Sequence, residues 1–97
     1  MPYAIVLEFD GVDRDQYDAV NDKLGIDMAT GAGSFPVGLV SHAAGPIPGG
    51  WLVSEIWDSK AEQQAFMAAR LGTALATAGV PRPTRVTDSE LVSLQTP

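Results

Sequence analysis

The sequence predicts an α+β domain of the ferredoxin-like class, with a four-stranded antiparallel sheet and both helices on one face. The predicted elements follow the order strand, helix, strand, strand, helix, strand, which is the split βαβ arrangement. Two helix-start signals, Asp13 with Gln16 and Ser59 with Glu62, each follow an apolar strand directly. A length of 97 residues has room for one domain, which we assign to residues 1–97.

The first half of the chain predicts a strand, a helix and a loop. Tyr3–Phe9 alternates between two largely apolar faces, and right-handed crossovers place this strand and the third at the centre of the sheet. The helix begins at Asp13 and stops at Gly25. Small residues dominate positions 26–36, which predicts a loop; loops of this length are often lids or binding loops, and disorder is equally permitted.

The second half predicts a hairpin, a helix and a last strand. Val37–Ala44 and Trp51–Trp57 are the hairpin strands, joined by the breaker-rich turn Gly45–Gly50. The second helix carries a glycine at Gly72, which predicts a kink or a break there. Arg85–Leu94 is the last strand. The inward stripe of the second helix comprises Phe66, Met67, Leu71, Leu75 and Ala78.

Charge and composition exclude several classes of function. Twelve acidic and six scattered basic residues give a net charge of −6, which disfavours nucleic acid and anionic membranes. There is no cysteine and one histidine, so we predict neither a metal site nor a bound cofactor. No stretch approaches the roughly 20 apolar residues that span a bilayer. The first ten residues lack the basic segment of a signal peptide, and we expect a cytoplasmic protein.

The apolar content predicts a homodimer. Hydrophobic residues make up 45% of the chain and charged residues 19%. A chain of this length buries only about 60–65% of its unfolded surface, so a second copy would hide the surplus. A well-packed monomer with a large ligand cavity is the alternative.

Most of the chain resembles one structural superfamily. The segment GGWLVSEIWDSKAEQQAFMAARL (Gly49–Leu71), the preceding SHAAGP (Ser41–Pro46) and the opening PYAIVLEFDG are similar to the dimeric α+β barrel proteins. Within them the chain is closest to small actinobacterial proteins of the antibiotic-biosynthesis monooxygenase-like group. The superfamily also contains haem-degrading enzymes, cyclases and proteins of no known activity.

The resemblance implies a homodimer with one pocket per subunit, between the sheet and its helices. Cofactor-free members oxidise electron-rich phenolic polycycles such as anthrone-like polyketides. In that chemistry the deprotonated substrate itself supplies electrons to dioxygen. The reaction needs an apolar pocket, a proton acceptor and polar groups that stabilise an enolate.

His42 and Glu55 are the candidate catalytic residues. His42 is the only imidazole, the side chain suited to general-base work near neutral pH. The alternative is a structural histidine bonded to a backbone carbonyl at the dimer seam. Glu55 lies between two tryptophans on one strand face and could shuttle a proton. We favour instead an ion pair between Glu55 and a cross-sheet arginine such as Arg85.

Aromatic and apolar side chains supply candidate substrate-binding residues. Trp57 could stack on a flat aromatic substrate or serve as a core anchor. For Trp51 we favour the role of a core or interface anchor. Phe66 and Met67 are interpreted most simply as core, although methionine also suits an adaptable apolar pocket.

Tyr17 and Asn21 lie one turn apart on the first helix and share a face. If they point at the sheet, the phenol or the amide could stabilise an oxyanion. The favoured role of Tyr17 is to pack against Val12 at the start of the helix.

These candidates lead to one functional hypothesis and two alternatives. The hypothesis is a cofactor-independent monooxygenase-like enzyme that deprotonates a small aromatic or phenolic, polyketide-like substrate in an apolar pocket. His42 takes the proton, Trp57 and Phe66 hold the ring, and Tyr17 or Asn21 stabilises the anion. The alternatives are a non-catalytic dimeric protein, ligand-binding or stress-associated, and a cyclase or isomerase that uses the same pocket.

Overall fold

Six strands and three α-helical segments account for the secondary structure of a computed structural model that describes all 97 residues. In chain order they are β1 (Tyr3–Asp10), α1 (Arg14–Leu24), β2 (Ile26–Asp27), β3 (Ala32–Gly33), β4 (Leu39–Ile47), β5 (Gly50–Trp57), α2 (Lys60–Phe66), a π-helical turn (Met67–Leu71), α3 (Gly72–Ala78) and β6 (Arg85–Glu90). The main sheet has the order β4–β5–β1–β6, with all neighbours antiparallel. The predicted ferredoxin-like class is confirmed, and the first and third long strands are central.

The region predicted as a loop contains a small hairpin. β2 pairs with β3, Ile26 opposite Gly33. The turn between them forms because Asp27 Oδ1 accepts hydrogen bonds from the backbone N–H groups of Ala29, at 2.9 Å, and Thr30, at 3.2 Å. The prediction of a loop over 26–36 therefore missed two short paired strands, Ile26–Asp27 and Ala32–Gly33, on either side of the turn.

The bounds of two strands differ from those predicted, because partner strands set them. β4 runs from Leu39 to Ile47 rather than from Val37 to Ala44, since Pro46 still lies opposite Trp51 on β5. β6 ends at Glu90 rather than Leu94. Glu90 lies opposite Tyr3, the first residue of β1, so residues beyond it have no strand to pair with.

Both predicted helix starts are confirmed. Asp13 Oδ1 accepts from the Gln16 N–H at 2.9 Å, and Gln16 Oε1 accepts from the Asp13 N–H at 3.1 Å, a complete capping box. Ser59 Oγ accepts from the Glu62 N–H at 3.2 Å and donates to Glu62 Oε1 at 3.0 Å. Gly25 ends α1 in the left-handed conformation, at φ 74°.

The predicted irregularity at Gly72 is a π-helical turn. The Gly72 N–H donates to the carbonyl of Met67, five residues earlier, and the helix then continues to Ala78. A Cβ at position 72 would lie 3.2 Å from that carbonyl oxygen, so glycine permits the close approach. The helix therefore continues through Gly72 and is not broken there.

The hydrophobic core lies between the sheet and the helices. One face of β1 is buried under the helices, through Tyr3, Ile5, Leu7 and Phe9. The opposite face of the sheet carries half-buried side chains, among them Val6 and Leu52. No helix is both long and apolar enough to cross a bilayer.

A β-bulge in β4 determines which side chains face the helices. Leu39 lies opposite Trp57 and Ser41 lies opposite Ile56, so Val40 is left without a partner on β5. Leu39 and His42 consequently share the helix-facing side although they are three residues apart. Regular alternation would have placed them on opposite sides.

The predicted ion pair between Glu55 and Arg85 does not form. Arg85 instead bonds to two carboxylates of β1, Glu8 at 3.3 Å and Asp10 at 2.7 Å. The reason is strand parity: Arg85 lies opposite Glu8, on the face away from the helices, whereas Glu55 lies on the helix-facing side.

The Arg85 guanidinium lowers the pKa of Asp10 below its ordinary value, chiefly through their hydrogen bond. Ionised Asp10 therefore stabilises the fold above the pKa it has in the unfolded chain, and this contribution is lost as the pH falls through the folded value. We expect Arg85→Gln to raise the pKa of Asp10 towards 3.8. The measurement is an NMR titration of the Asp10 carboxyl carbon, with Arg82→Gln as the control. Equal midpoints in the wild type and Arg85→Gln would contradict the assignment.

Candidate functional site

An apolar cavity lies between α1, the second helix and the helix-facing side of the sheet. The second helix is the continuous segment of α2, the π-helical turn and α3. Nineteen residues line it, and 15 of them are hydrophobic. The other four are Asn21, Pro36, His42 and Glu55. Five of the predicted site residues are therefore brought together in one largely apolar space, namely Tyr17, Asn21, His42, Glu55 and Phe66.

A continuous chain of hydrogen bonds runs along one wall of the cavity. The Tyr17 hydroxyl lies 2.6 Å from His42 Nε2, and His42 Nδ1 lies 2.8 Å from Glu55 Oε2. Trp57 Nε1 donates to Glu55 Oε1 at 3.2 Å. We call Tyr17, His42 and Glu55 the relay. His42 is thus bonded at both ring nitrogens to side chains, not to the backbone carbonyl considered as an alternative.

The relay follows from the register of the sheet and the capping of α1. His42 and Glu55 lie directly opposite each other on β4 and β5, so their side chains meet on one face. Trp57 is two residues beyond Glu55 and shares that face. Tyr17 lies in the second turn of α1, and its ring stacks near His42 with centroids 6.1 Å apart.

One arrangement of protons satisfies every bond of the relay. Each oxygen of the Glu55 carboxylate accepts from one N–H donor. With the His42 ring neutral, Nδ1 carries the proton that Glu55 accepts and Nε2 is an acceptor. In this arrangement the Tyr17 hydroxyl donates to His42, and its oxygen can still accept a hydrogen bond.

Burial raises the pKa of the Tyr17 phenol above 10, and the negative charges of Glu55 and Asp18 act in the same direction. The Asn21 amide opposes part of this increase. At neutral pH the phenol consequently stays protonated, so it can pass a proton onward but does not itself act as a phenolate base.

Asn21 and Trp51 contribute the remaining polar nitrogens of the cavity. Both side chains are more than nine-tenths buried; Trp51 Nε1 has no hydrogen-bond acceptor, and the Asn21 amide has only the Tyr17 phenol beside it. The Trp51 ring lies 5.2 Å from that of Tyr17. Trp51 was interpreted from the sequence as an anchor only. Its place on the same strand face as Glu55 was the available signal for a role in the site.

The structure places the other three predicted binding residues, Phe66, Trp57 and Met67, in three different environments. Phe66 lines the cavity. Trp57 does not line it: the side chain is completely buried behind the wall, 5.5 Å from the Phe66 ring, which matches the core-anchor alternative. Met67 does not line the cavity and lies instead in a groove beside β6, which it shares with Val86.

The size of the cavity limits what enters it without movement. Its volume is about 60 Å³, whereas a cavity that holds benzene has about 150 Å³. An aromatic ring must therefore displace part of the wall or extend into a second groove, which adjoins the cavity and is lined by residues of α1 and β4. The groove and the cavity share six residues, namely Tyr17, Asn21, Ile26, Met28, His42 and Trp51.

Arg70 attaches the β2–β3 hairpin to the second helix. Its guanidinium donates to the backbone carbonyls of Leu24, at 2.9 Å, and Ser34, at 2.7 Å. It also lies over the Phe66 ring, 5.4 Å from the centroid. Since Ile26, Met28 and Pro36 belong to the cavity wall, this attachment fixes the position of that wall.

We expect Arg70→Ala to loosen that wall. Loss of both charge-assisted bonds should raise amide hydrogen exchange in residues 26–36 at least about threefold, while the sheet stays protected. Hydrogen-exchange mass spectrometry measures this. Arg82→Ala is the matched control, since the Arg82 side chain is exposed and makes no hydrogen bond. Unchanged exchange over 26–36 in Arg70→Ala would show that the wall is held by other contacts.

Comparison with known proteins identifies relatives of the fold. No protein-family model and no curated protein sequence matches the chain. Among solved structures, Rv0793 from Mycobacterium tuberculosis superposes with a TM-score of 0.68 at 18% identity, over 99% of this chain and 100% of that one. A protein from Chloroflexus aurantiacus, named as a candidate antibiotic biosynthesis monooxygenase, gives 0.65 at 19% identity, over 99% and 98%.

A third neighbour is described as a dimeric ferredoxin-like protein of unknown function, from Thermobifida fusca. It gives a TM-score of 0.50 at 20% identity, over 91% of this chain and 86% of that one. At such identities the comparisons establish the fold. The structural resemblance predicted from the sequence is confirmed: the neighbours are ferredoxin-fold proteins that include antibiotic biosynthesis monooxygenase-like chains.

Proposed function

We propose that this chain is a cytoplasmic, cofactor-independent monooxygenase-like enzyme that acts on a small aromatic or phenolic substrate. The observation that carries the proposal is the relay of Tyr17, His42 and Glu55 along the wall of an apolar cavity. A base in an apolar space suits the deprotonation of an electron-rich ring, whose anion then reduces dioxygen. For an anthrone-type methylene, CH₂ and O₂ give C=O and H₂O, so the substrate supplies every electron.

Proton transfer runs from the substrate through Tyr17 to His42. The hydroxyl of the substrate donates to the free lone pair of the Tyr17 oxygen, and Tyr17 passes its own proton to His42 Nε2. The imidazolium that forms lies 2.8 Å from the Glu55 carboxylate, which stabilises the new charge. Trp57 holds the other oxygen of Glu55 and keeps the carboxylate in place.

The same proposal includes a homodimer. The sheet face away from the helices carries half-buried Val6, Leu52 and Ile56, and a second sheet would cover them. The neighbour described as dimeric supports this by its shared fold. Light scattering should give twice the chain mass of 10.2 kDa, and Leu52→Glu should give a single chain mass. A wild-type monomer at micromolar concentration would contradict the dimer.

Oxygen uptake tests the reaction. With 1,8-dihydroxyanthrone as substrate, and with a chelator but no flavin or haem added, we expect one O₂ consumed for each anthraquinone formed, faster than in buffer alone. A product formed under nitrogen would identify a cyclase or isomerase instead. Saturable binding with no product would identify a ligand-binding protein. Either result would overturn the proposed oxygenation.

A further inference from the structure

The six residues that line both the cavity and the adjoining groove form the boundary between the two spaces. The cavity has a volume of about 60 Å³, and the groove has about 850 Å³. A ring that enters the cavity from the groove must displace part of this boundary, because about 150 Å³ is needed to hold benzene. The boundary residues are Tyr17, Asn21, Ile26, Met28, His42 and Trp51.

Five of the six boundary residues are held in place. Tyr17 and His42 are hydrogen-bonded to each other, and the Trp51 ring packs 5.2 Å from the Tyr17 ring. Asn21 and Ile26 are both 6% exposed, the first on α1 and the second in β2. Displacement of any of these five side chains would break a bond of the relay or disturb the core.

Met28 differs from the other five in its freedom to move. Its side chain is half-buried and packs against the edge of the core. Methionine is unbranched and has three rotatable side-chain bonds, so it adapts to a new position at little cost. The backbone that carries it is fixed by the bonds of Asp27 to Ala29, Thr30 and Gly31. The movement available is therefore that of the Met28 side chain and not that of the hairpin.

We propose that Met28 is a movable partition between the cavity and the adjoining groove, and that it determines which aromatic ligands reach the relay. This deepens the proposed function and rests on it only for the reaction. When the side chain withdraws towards solvent, the cavity and the groove become one space. A ring then occupies the inner end beside Tyr17, and the rest of a longer ligand extends into the groove. No hydrogen bond of the relay has to break.

Two variants of Met28 change the partition in opposite directions. Met28→Ala removes it, whereas Met28→Ile keeps an apolar side chain of similar size with restricted rotation. A minor conformer populated at roughly 0.1–10% lowers the apparent affinity of its ligand by that fraction. We therefore expect toluene to bind Met28→Ala at least about tenfold more tightly than the wild type, and Met28→Ile at least about threefold more weakly. Met67→Ala is the matched control, since Met67 lies in the groove beside β6, and it should leave this affinity unchanged.

Methyl NMR of the wild type shows directly whether a ring passes Met28. The chain has three methionines, and the other two are internal controls. Met1 is 70% exposed, and Met67 lies outside the cavity. With ¹³C-methyl-labelled methionine, toluene should shift the Met28 signal through its ring current and leave the Met1 and Met67 signals in place. The Trp51 indole signal should shift together with that of Met28, because both residues line the cavity.

Several results would overturn the partition. One is a Met28 signal that stays in place while the Trp51 indole signal shifts, because the ring would then enter by another path. Others are binding that shifts only the Met67 signal, equal affinity of Met28→Ala and the wild type, and no binding of toluene to either protein. Toluene carries no hydroxyl group for the relay to deprotonate, so none of these results depends on turnover. Absence of oxygen uptake with the phenolic substrate would overturn the reaction and leave the partition standing.

Discussion

His42→Gln is expected to lower the turnover of a phenolic substrate about 100-fold or more, with little change in its affinity. Glutamine keeps a polar side chain opposite Glu55 but cannot take the proton that Tyr17 passes on. Because the proposed substrate hydroxyl meets Tyr17 rather than the imidazole, binding should persist. Oxygen-electrode rates measured over a range of substrate concentrations separate kcat from KM.

Further variants show whether the relay acts as a unit. Glu55→Gln removes the negative charge beside the imidazolium and should slow turnover less than His42→Gln does. Tyr17→Phe interrupts the path between substrate and His42. Met67→Leu is the matched control, since Met67 lies outside the cavity, and it should leave turnover unchanged. If His42→Gln matched the wild type in both rate and affinity, the relay would have no part in the reaction.

Trp57→Ala is expected to destabilise the fold by about 3–5 kcal/mol. The side chain is completely buried, packs 5.5 Å from the Phe66 ring and lies opposite both Tyr3 and Leu39 in the sheet. For a domain of this size the corresponding loss in Tm is more than about 12 °C. Urea unfolding and calorimetry measure the two quantities.

Two further variants serve as controls for Trp57→Ala. Trp57→Phe keeps most of the packing and removes the hydrogen bond to Glu55, so it should cost much less, on the order of 1–2 kcal/mol. Val92→Ala alters a side chain that is 97% exposed and should stay within about 0.5 kcal/mol of the wild type. A Trp57→Ala protein within about 1 kcal/mol of the wild type would contradict the assignment of this side chain as the central core residue.

The fold was predictable because its signals are local. The capping box at Asp13, the left-handed stop at Gly25 and the alternation of β1 each act within a few residues. The ends of β4 and β6 were not predictable in the same way, because the reach of the partner strand determines them. The hairpin within 26–36 depends on side-chain bonds of Asp27 that no apolar pattern reveals.

The residues of the site could be predicted from the sequence, but several of their contacts could not. His42, Glu55, Tyr17 and Asn21 were chosen for their chemistry, and the structure brings them to one cavity. The partner of Glu55 was predicted wrongly, because Arg85 lies on the sheet face away from the helices whereas His42 lies directly opposite Glu55. The unpaired N–H of Trp51 cannot be recognised in a sequence, because it is a property of the surrounding packing.

The bulge at Val40 has a consequence for how such a chain can diversify. Because Val40 has no partner on β5, the register of His42 is set from the Pro48–Gly49 turn and not from the segment before the strand. Residues inserted or lost between positions 28 and 38 would remodel the cavity wall and leave His42 opposite Glu55. The molecule thus separates the strand-paired residues His42 and Glu55 of the relay from the segment that forms part of the cavity wall, with the unpaired Val40 between them.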